Sequence, residues 1–231
     1  MRSKEETEGD AHFVQEYCKS LSLPCTRIDL PTGAIFDYAK SNHLGSEAAA
    51  RFFRYQAFDA FIKQEKVDFL CLAHNKNDQI ETILMRVLQG SAAESLGGIP
   101  RVRGKFIRPL LDISRMEIEA FLLHRGIPYC TDLTNFDTAM LRNKIRRKLI
   151  PFLNENFLGY DKALLSLGQK IRLDGQALAF LCEENIKKMN LSLSSDRKKI
   201  SLDENIFHSL DLAIQRRVLY YVYDLLQIGD R

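Results

Sequence analysis

Apolar and polar residues follow two different patterns in the middle of this chain. Val67–Ala73 is a run of strand length that is apolar apart from Asp68, which is typical of a strand buried on both faces. From Ile80 to Leu88 the apolar residues recur at helical spacing, and this predicts a helix directly after the strand. Open α/β sheets bind their ligands at the carboxyl ends of parallel strands. We therefore expect His74, which ends the strand, to lie at a binding site.

The first turns of the predicted helix carry two acids, Asp78 and Glu81, three residues apart and therefore on one helical face. Two interpretations are open. Asn75 is a favourable helix cap and Asp78 a favourable first-turn acid, so that Asp78 would be structural and Glu81 a solvated charge. Alternatively, both carboxylates point into the site and bind a ligand. Spacing alone does not choose between these interpretations, because first-turn acids are common.

The remaining pattern predicts an α/β protein. Helical periodicity predicts further helices at residues 3–21, 46–66, 114–124 and 138–149, and a mostly helical tail from Pro151. Strand candidates are Thr26–Leu30 and, more weakly, Lys105–Arg108. Alternating strands and helices indicate a parallel α/β sheet, although such a sheet usually has about five or six strands. We therefore predict an N-terminally incomplete α/β domain at residues 1–152 and a small helical domain at residues 153–231. The predicted core of the second domain is Leu164, Leu165, Leu167, Ile171, Leu178 and Phe180.

Composition narrows the class of protein. With 45% apolar and 27% charged residues, the 231-residue chain has the balance of a soluble globular protein. No stretch approaches the roughly 20 apolar residues that span a bilayer, and the polar, acidic N-terminus does not look like a signal peptide. The five cysteines form no C-x-x-C pair, so neither a disulfide framework nor a zinc ribbon is indicated. We expect a cytoplasmic protein with reduced thiols.

Two short windows concentrate positive charge. Residues 101–108 and 142–148 together hold nine of the 33 basic residues and no acid. Arginine guanidinium groups match the geometry of phosphate oxygens. One such window is usually a solvated helix surface, but two windows beside a loop rich in Asp and Asn indicate an anionic ligand.

Five segments, in this order and at compatible spacings, resemble the tRNA(Ile)-lysidine synthetase family. They are ARFFRY (Ala50–Tyr55), AHNKNDQIET (Ala73–Thr82), RPLL (Arg108–Leu111), DLTN (Asp132–Asn135) and RNKIRRKLIP (Arg142–Pro151). The family belongs to the N-type ATP pyrophosphatases. The resemblance therefore implies a Rossmann-like fold of the adenine nucleotide alpha hydrolase type, with a parallel sheet.

The resemblance also implies a reaction. Members of this family use ATP to adenylate the wobble cytidine of tRNA(Ile) at its carbonyl oxygen, and the side-chain amine of free L-lysine then displaces AMP to form lysidine. By analogy, Asp78, Glu81, Arg51 and Arg54 would be catalytic, with Asp78 also a Mg²⁺ ligand. His74 and Asn77 would bind substrate. The implied RNA contacts are Arg108, Asp132, Asn135, Arg142, Asn143 and Arg146. A homodimer is a further expectation, and no membrane partner is expected.

Two departures from the family pattern leave alternatives open. Asn77 stands where the family usually has the first of two aspartates, and the family's S-G-G-x-D-S phosphate loop is absent. We hypothesise that Met1 is an internal methionine of a longer reading frame, and that the fragment by itself is inactive; an in-frame stop codon close upstream would contradict the first part. The alternatives are a non-catalytic tRNA-binding protein and a tRNA-thiolating relative, although the latter usually requires paired cysteines.

Overall fold

A computed structural model describes residues 4–130, 141–194 and 198–226 of the chain. The elements up to residue 124 are α1 (Lys4–Ser20), α2 (Ala34–Ser41), α3 (Ser46–Gln64), β1 (Leu70–Cys71), α4 (Lys76–Leu88), α5 (Ala93–Leu96), β2 (Val102–Arg103), β3 (Phe106–Ile107) and α6 (Arg115–His124). They are followed by α7 (Leu141–Lys144), a π-helical turn (Ile145–Leu149), α8 (Ile150–Asn156), α9 (Tyr160–Lys188), β4 (Ser192–Leu193), β5 (Ile200–Ser201), α10 (Glu204–Ser209) and α11 (Leu212–Leu226).

These elements form two compact units. The first contains Met1–Glu81 and Ile99–Leu153, and the second contains Thr82–Gly98 and Asn154–Arg231. The chain thus passes between the units three times: within α4, between Gly98 and Ile99, and within α8. The domain division predicted at residue 152 remains a prediction.

The sheet of the first unit is small and mixed. β1 pairs in parallel with β3, Leu70 opposite Phe106, and β2 pairs antiparallel with β3. The Leu70 and Leu72 amides donate to the carbonyls of Lys105 and Ile107, both at 2.8 Å. The chain between β1 and β3 passes through α4 and α5, which is the crossover connection expected for parallel strands.

The strand predicted from the apolar run is confirmed, but its burial on both faces is wrong. Ile62 of α3 packs on Leu72 and Phe106 and so covers one face. Phe69 and Cys71 are exposed on the other face. The run is apolar on both faces, but within the described residues the packing cluster around Leu72 and Phe106 covers only one of them.

The strand predicted at Thr26–Leu30 is wrong. This segment is exposed, and no described strand pairs with it. Arg27 instead ties it to α1, because two guanidinium nitrogens donate to the Glu8 carboxylate at 2.8 and 2.7 Å. A β-branched residue pattern favours a strand only where a neighbouring strand offers hydrogen-bond partners.

The predicted helices agree with α1, α3, α4 and α6. At the start of α6 the capping box is confirmed, since the Ser114 hydroxyl accepts from the Glu117 amide and the Glu117 carboxylate accepts from the Ser114 amide. The helix ends at His124, and Gly126 adopts the positive φ of 63° that follows many helix ends.

The predicted basic helix ends in a π-helical turn, and Pro151 explains it. Proline has no amide hydrogen, and its ring clashes with the carbonyl four residues earlier, here that of Arg147. The helix widens over Ile145–Leu149, immediately before this proline, as helices do where an i to i−4 bond is lost.

The second unit packs α9 against α5 and α11. Cys182, Met189, Ile214 and Val218 form its buried cluster. Among the predicted core residues, Leu178 packs against this cluster, whereas Leu167 and Phe180 are exposed and those two predictions are wrong. In the described ranges 4–130, 141–194 and 198–226, no helix combines the length and apolar character that crossing a membrane requires.

Candidate active site

The first turn of α4 shows that Asp78 is structural and also faces the site. The Asn75 side-chain oxygen accepts from the Asp78 amide at 3.1 Å, and Asp78 Oδ2 accepts from the Asn75 amide at 3.0 Å. These reciprocal bonds satisfy two amides that a helix start leaves without partners. The other oxygen of Asp78, Oδ1, accepts from Arg142 Nη2 at 2.7 Å. The structural interpretation of Asp78 is therefore confirmed, and its binding of a ligand remains a prediction.

Glu81 is the centre of a buried ion-pair cluster. It is 1% exposed, one turn after Asp78 on the same face of α4. Its Oε2 accepts from Arg142 Nε at 2.8 Å and from Arg146 Nη2 at 3.0 Å, and its Oε1 accepts from Arg146 Nε at 2.6 Å. The interpretation of Glu81 as a solvated helix charge is wrong. The hydrogen bonds to Glu81 raise the pKa of Arg146, partly offset by burial.

A cavity of about 250 Å³ opens beside this cluster. Its lining residues come from α3, from the segment after β1 and from α4: Arg51, Arg54, Tyr55, Phe58, Leu72, Ala73, His74 and Asp78. Arg51 lies one helical turn before Tyr55, with its guanidinium carbon 4.8 Å from the ring centre. The predicted catalytic residues Arg51, Arg54 and Asp78 therefore lie around one cavity. The fourth, Glu81, is linked to it through Arg142, which Asp78 and Glu81 share.

His74 presents an unpaired nitrogen in this region. Its Nδ1 is buried and has no hydrogen-bond partner among the described residues. Burial lowers the pKa of His74, and the positive charges of Arg108, Arg51 and Arg142 lower it further, while Asp78 raises it. The imidazole is therefore largely neutral near pH 7, where it can accept a hydrogen bond from a ligand.

Two other predicted residues have structural partners. Arg108 is 2% exposed, and its Nη1 donates to the Pro100 carbonyl at 2.8 Å. The Arg108 side chain is therefore buried within the fold. Asn77 Oδ1 accepts from the Arg115 amide at 2.9 Å and so joins α4 to the start of α6. Their predicted roles in binding RNA and substrate remain predictions.

The other predicted RNA contacts fall into two groups. Asn143 is half-buried in α7, between the arginines that reach the acids. Asp132 and Asn135 lie outside the described residues.

The sequence analysis did not include Tyr55 in the site, although its hydroxyl lies 3.4 Å from both Arg51 Nη2 and Arg108 Nη2. Its position four residues after Arg51 was the available signal.

The described residues do not form a ready metal site. Both oxygens of Asp78 accept hydrogen bonds from nitrogen donors. In the part of the chain that the structure describes, no three His, Cys, Asp or Glu side chains are grouped to hold a metal ion. The assignment of Mg²⁺ to Asp78 remains a prediction, and we derive no step from it.

Comparisons with known proteins agree with this fold. Residues 2–153 match the PP-loop domain family. A tRNA(Ile)-lysidine synthase of Treponema denticola is 37% identical, covering 100% of this chain and 53% of the relative. The tRNA(Ile)-lysidine synthase of Bacillus subtilis is 33% identical, and the match covers 95% of this chain and 47% of that relative. The chain thus spans about half the length of these curated relatives.

A solved structure supports the fold alone. The U34-tRNA thiolase NcsA from Methanococcus maripaludis, solved with its [4Fe-4S] cluster, superposes with a TM-score of 0.57 at 16% identity. The match covers 74% of this chain and 59% of that protein. The predicted Rossmann-like fold of the adenine nucleotide alpha hydrolase type is confirmed by this likeness together with the family match.

Proposed function

The chain belongs to the PP-loop domain family, and from this premise we propose that it carries the catalytic site of a tRNA(Ile)-lysidine synthetase. The proposed reaction is the ATP-dependent ligation of L-lysine to the wobble cytidine of tRNA(Ile) with a CAU anticodon. The observation that carries the proposal is the grouping of Asp78 and Glu81 with four arginines around the end of β1. The names of the relatives support the choice of substrates.

The first proposed step activates the base. The cytidine O2 attacks the α-phosphorus of ATP, pyrophosphate leaves, and AMP remains bonded to O2. Arg51 and Arg54 lie on successive turns of α3 at the cavity, where their guanidinium groups would stabilise the negative charge that develops on phosphate oxygens. Mg²⁺ enters here as part of the substrate, since it usually binds through ATP phosphates and only one or two carboxylates.

The second proposed step attaches lysine. The lysine ammonium first gives up one proton. Its Nζ then attacks C2, the C2–O2 bond breaks, AMP leaves with O2, and the nitrogen gives up a second proton. Free lysine is protonated near neutral pH, with a pKa of about 10.4, so the site must hold an ammonium group and accept a proton. Asp78 and Glu81 would supply the negative charge, and His74, whose Nδ1 has no partner among the described residues, would supply a further hydrogen-bonding group.

The cavity is large enough to hold one small chemical group at a time. The volume of about 250 Å³ lies just below the roughly 300–1,000 Å³ of typical small-molecule pockets. One base or one lysine side chain would occupy it, and the cytidine would have to leave its stack to enter, as bases do in enzymes that modify them.

The test is transfer of radiolabelled lysine into RNA. We expect acid-precipitable label when this chain, or the product of a longer reading frame that contains it, is incubated with ATP and a tRNA(Ile) transcript. We expect none when the wobble cytidine is replaced by uridine. Arg54→Gln should lower transfer by at least tenfold, whereas Arg125→Gln, an exposed arginine at the end of α6, should not. Absence of label, both from this chain and from the product of a longer reading frame, would refute the proposal.

The same assay separates the alternatives. A non-catalytic tRNA-binding protein would retard tRNA in a gel in a salt-dependent manner without incorporating lysine. A thiolating enzyme would instead place sulfur in the RNA when supplied with a sulfur donor.

A further inference from the structure

The carboxylates that we assign to lysine binding are already occupied by arginine. Glu81 accepts from Arg142 and Arg146, and Asp78 Oδ1 accepts from Arg142. The guanidinium nitrogens stand where the ammonium group of lysine would donate its hydrogen bonds. An amine therefore cannot reach Glu81 unless at least one guanidinium group moves away.

The charge of the cluster also opposes an incoming cation. Arg142 and Arg146 pair with the carboxylates of Asp78 and Glu81. Arg51 and Arg54 line the cavity together with Asp78. Four positive and two negative charges leave a formal +2. An ammonium group would raise this to +3, whereas a phosphate group would lower it. The cluster as it stands therefore favours an anion, because like charges at contact distance repel strongly where water is excluded.

The arginines are the solvent-accessible part of the cluster. The side chains of Arg142 and Arg146 are 31% and 32% exposed, but that of Glu81 is only 2% exposed. A phosphate arriving from solvent thus meets guanidinium groups first. It also offers them the bidentate geometry that the carboxylate provides now.

We propose that charge sets the order of binding: a phosphate-bearing ligand binds first and draws Arg142 or Arg146 off the acids, and only then does lysine bind. This inference rests on the proposed function, since it takes the ammonium of lysine as the second ligand. The shared chemistry is the phosphate group, supplied either by ATP or by the tRNA backbone. By linkage, lysine must strengthen binding of that phosphate ligand by the same factor.

Equilibrium dialysis with radiolabelled lysine tests the order on the wild-type chain. Lysine binding is measured alone, with the non-hydrolysable analogue of ATP and Mg²⁺, and with an anticodon stem-loop of tRNA(Ile). We expect weak binding alone and an increase of about tenfold or more with a phosphate ligand, within the range usual for coupled sites. The arm that gives the increase identifies the source of the phosphate. Equal lysine affinity in all arms, or no lysine binding in any arm, would overturn the proposal.

Variants test the part played by the arginine. Arg142→Gln removes the guanidinium group that Asp78 and Glu81 share, so lysine should bind the free chain about tenfold more tightly and gain little from a phosphate ligand. Arg125→Gln removes one exposed positive charge elsewhere in the first unit and should behave like wild type. Circular dichroism verifies that each variant is folded. If Arg142→Gln does not fold, the measurements on the wild-type chain still decide the question.

Failure of this inference is distinct from failure of the proposed function. If lysine is transferred into tRNA but its affinity does not depend on a phosphate ligand, the binding order is refuted and the proposed reaction stands. If lysine binding depends on a phosphate ligand but no lysine is transferred, the proposed reaction is refuted and the binding order stands.

Discussion

Arg146→Met tests whether Glu81 is held as a buried ion. Methionine keeps much of the apolar stem and removes the guanidinium group, whose Nε and Nη2 lie 2.6 and 3.0 Å from the two Glu81 oxygens. The substitution leaves Glu81, which is 1% exposed, with the bond from Arg142 Nε.

The expected cost follows from burial. Removing one partner of a fully buried ion pair costs about 3–5 kcal/mol, and hydrogen bonds to charged groups contribute about 1.5–3 kcal/mol. Arg142 stays in place, and the Arg146 side chain is 32% exposed, so water will reach part of the vacated space. We therefore expect the loss to lie at the low end of the 3–5 kcal/mol range, so that the free energy of unfolding falls by about 3 kcal/mol.

A matched pair at the surface provides the control. Arg115 Nε lies 2.6 Å from Glu119 Oε1, the same separation as in the Arg146–Glu81 pair, but these side chains are 48% and 39% exposed. Arg115→Met should cost only about 0.3–0.5 kcal/mol, as exposed i,i+4 pairs do. The two variants share the substitution and the shortest contact distance; they differ in burial and in the second bond that Arg146 Nη2 makes to Glu81.

Hydrogen exchange measured by mass spectrometry is the suitable assay. The chain folds into two compact units, and a single melting temperature does not report on one of them. Amides of β1 and the first turns of α4 should exchange about 150-fold faster in Arg146→Met, since each 1.4 kcal/mol is a factor of ten. Amides of α6 in Arg115→Met should change about twofold. An increase below about threefold for Arg146→Met would show that this pair acts like a surface pair, and would refute the argument from burial.

Three further predictions concern other parts of the structure. Gly168→Ala should destabilise the second unit, because the added Cβ would lie 3.0 Å from Cδ1 of Ile83, which is fully buried and has little room to shift. The cost of overpacking, about 1–3 kcal/mol, should exceed the gain of about 1 kcal/mol from alanine in a helix. Ile83→Val should recover part of the loss, as measured by urea unfolding followed by circular dichroism. His74, whose pKa is lowered in the fold, binds fewer protons there than in the unfolded chain, so stability should fall as the pH drops below about 6.5; His74→Gln should flatten that dependence in urea titrations. Tyr55→Phe should change the free energy of unfolding by under about 1 kcal/mol, because the hydrogen bonds of its hydroxyl are long at 3.4 Å. A larger loss of stability would indicate a tighter contact.

Local signals in the sequence determined the helices and the cap at the site. The capping residues at Asn75 and Ser114, the glycine at 126 and the helical spacing of α4 all act within a few positions of the chain, so their structures follow from neighbouring residues. The same spacing placed Asp78 and Glu81 on one face of α4, and the structure agrees.

The partners of those acids were decided by the tertiary structure. Arg142 and Arg146 follow Glu81 by 61 and 65 residues, and the sequence predicted them as RNA contacts, separate from the acids. Likewise, nothing local marked Arg108 as buried or showed that one face of β1 would be exposed. An ion pair between distant residues depends on which elements pack together and on how much water they exclude. Those properties belong to the folded chain, whereas periodicity and capping belong to a single turn of it.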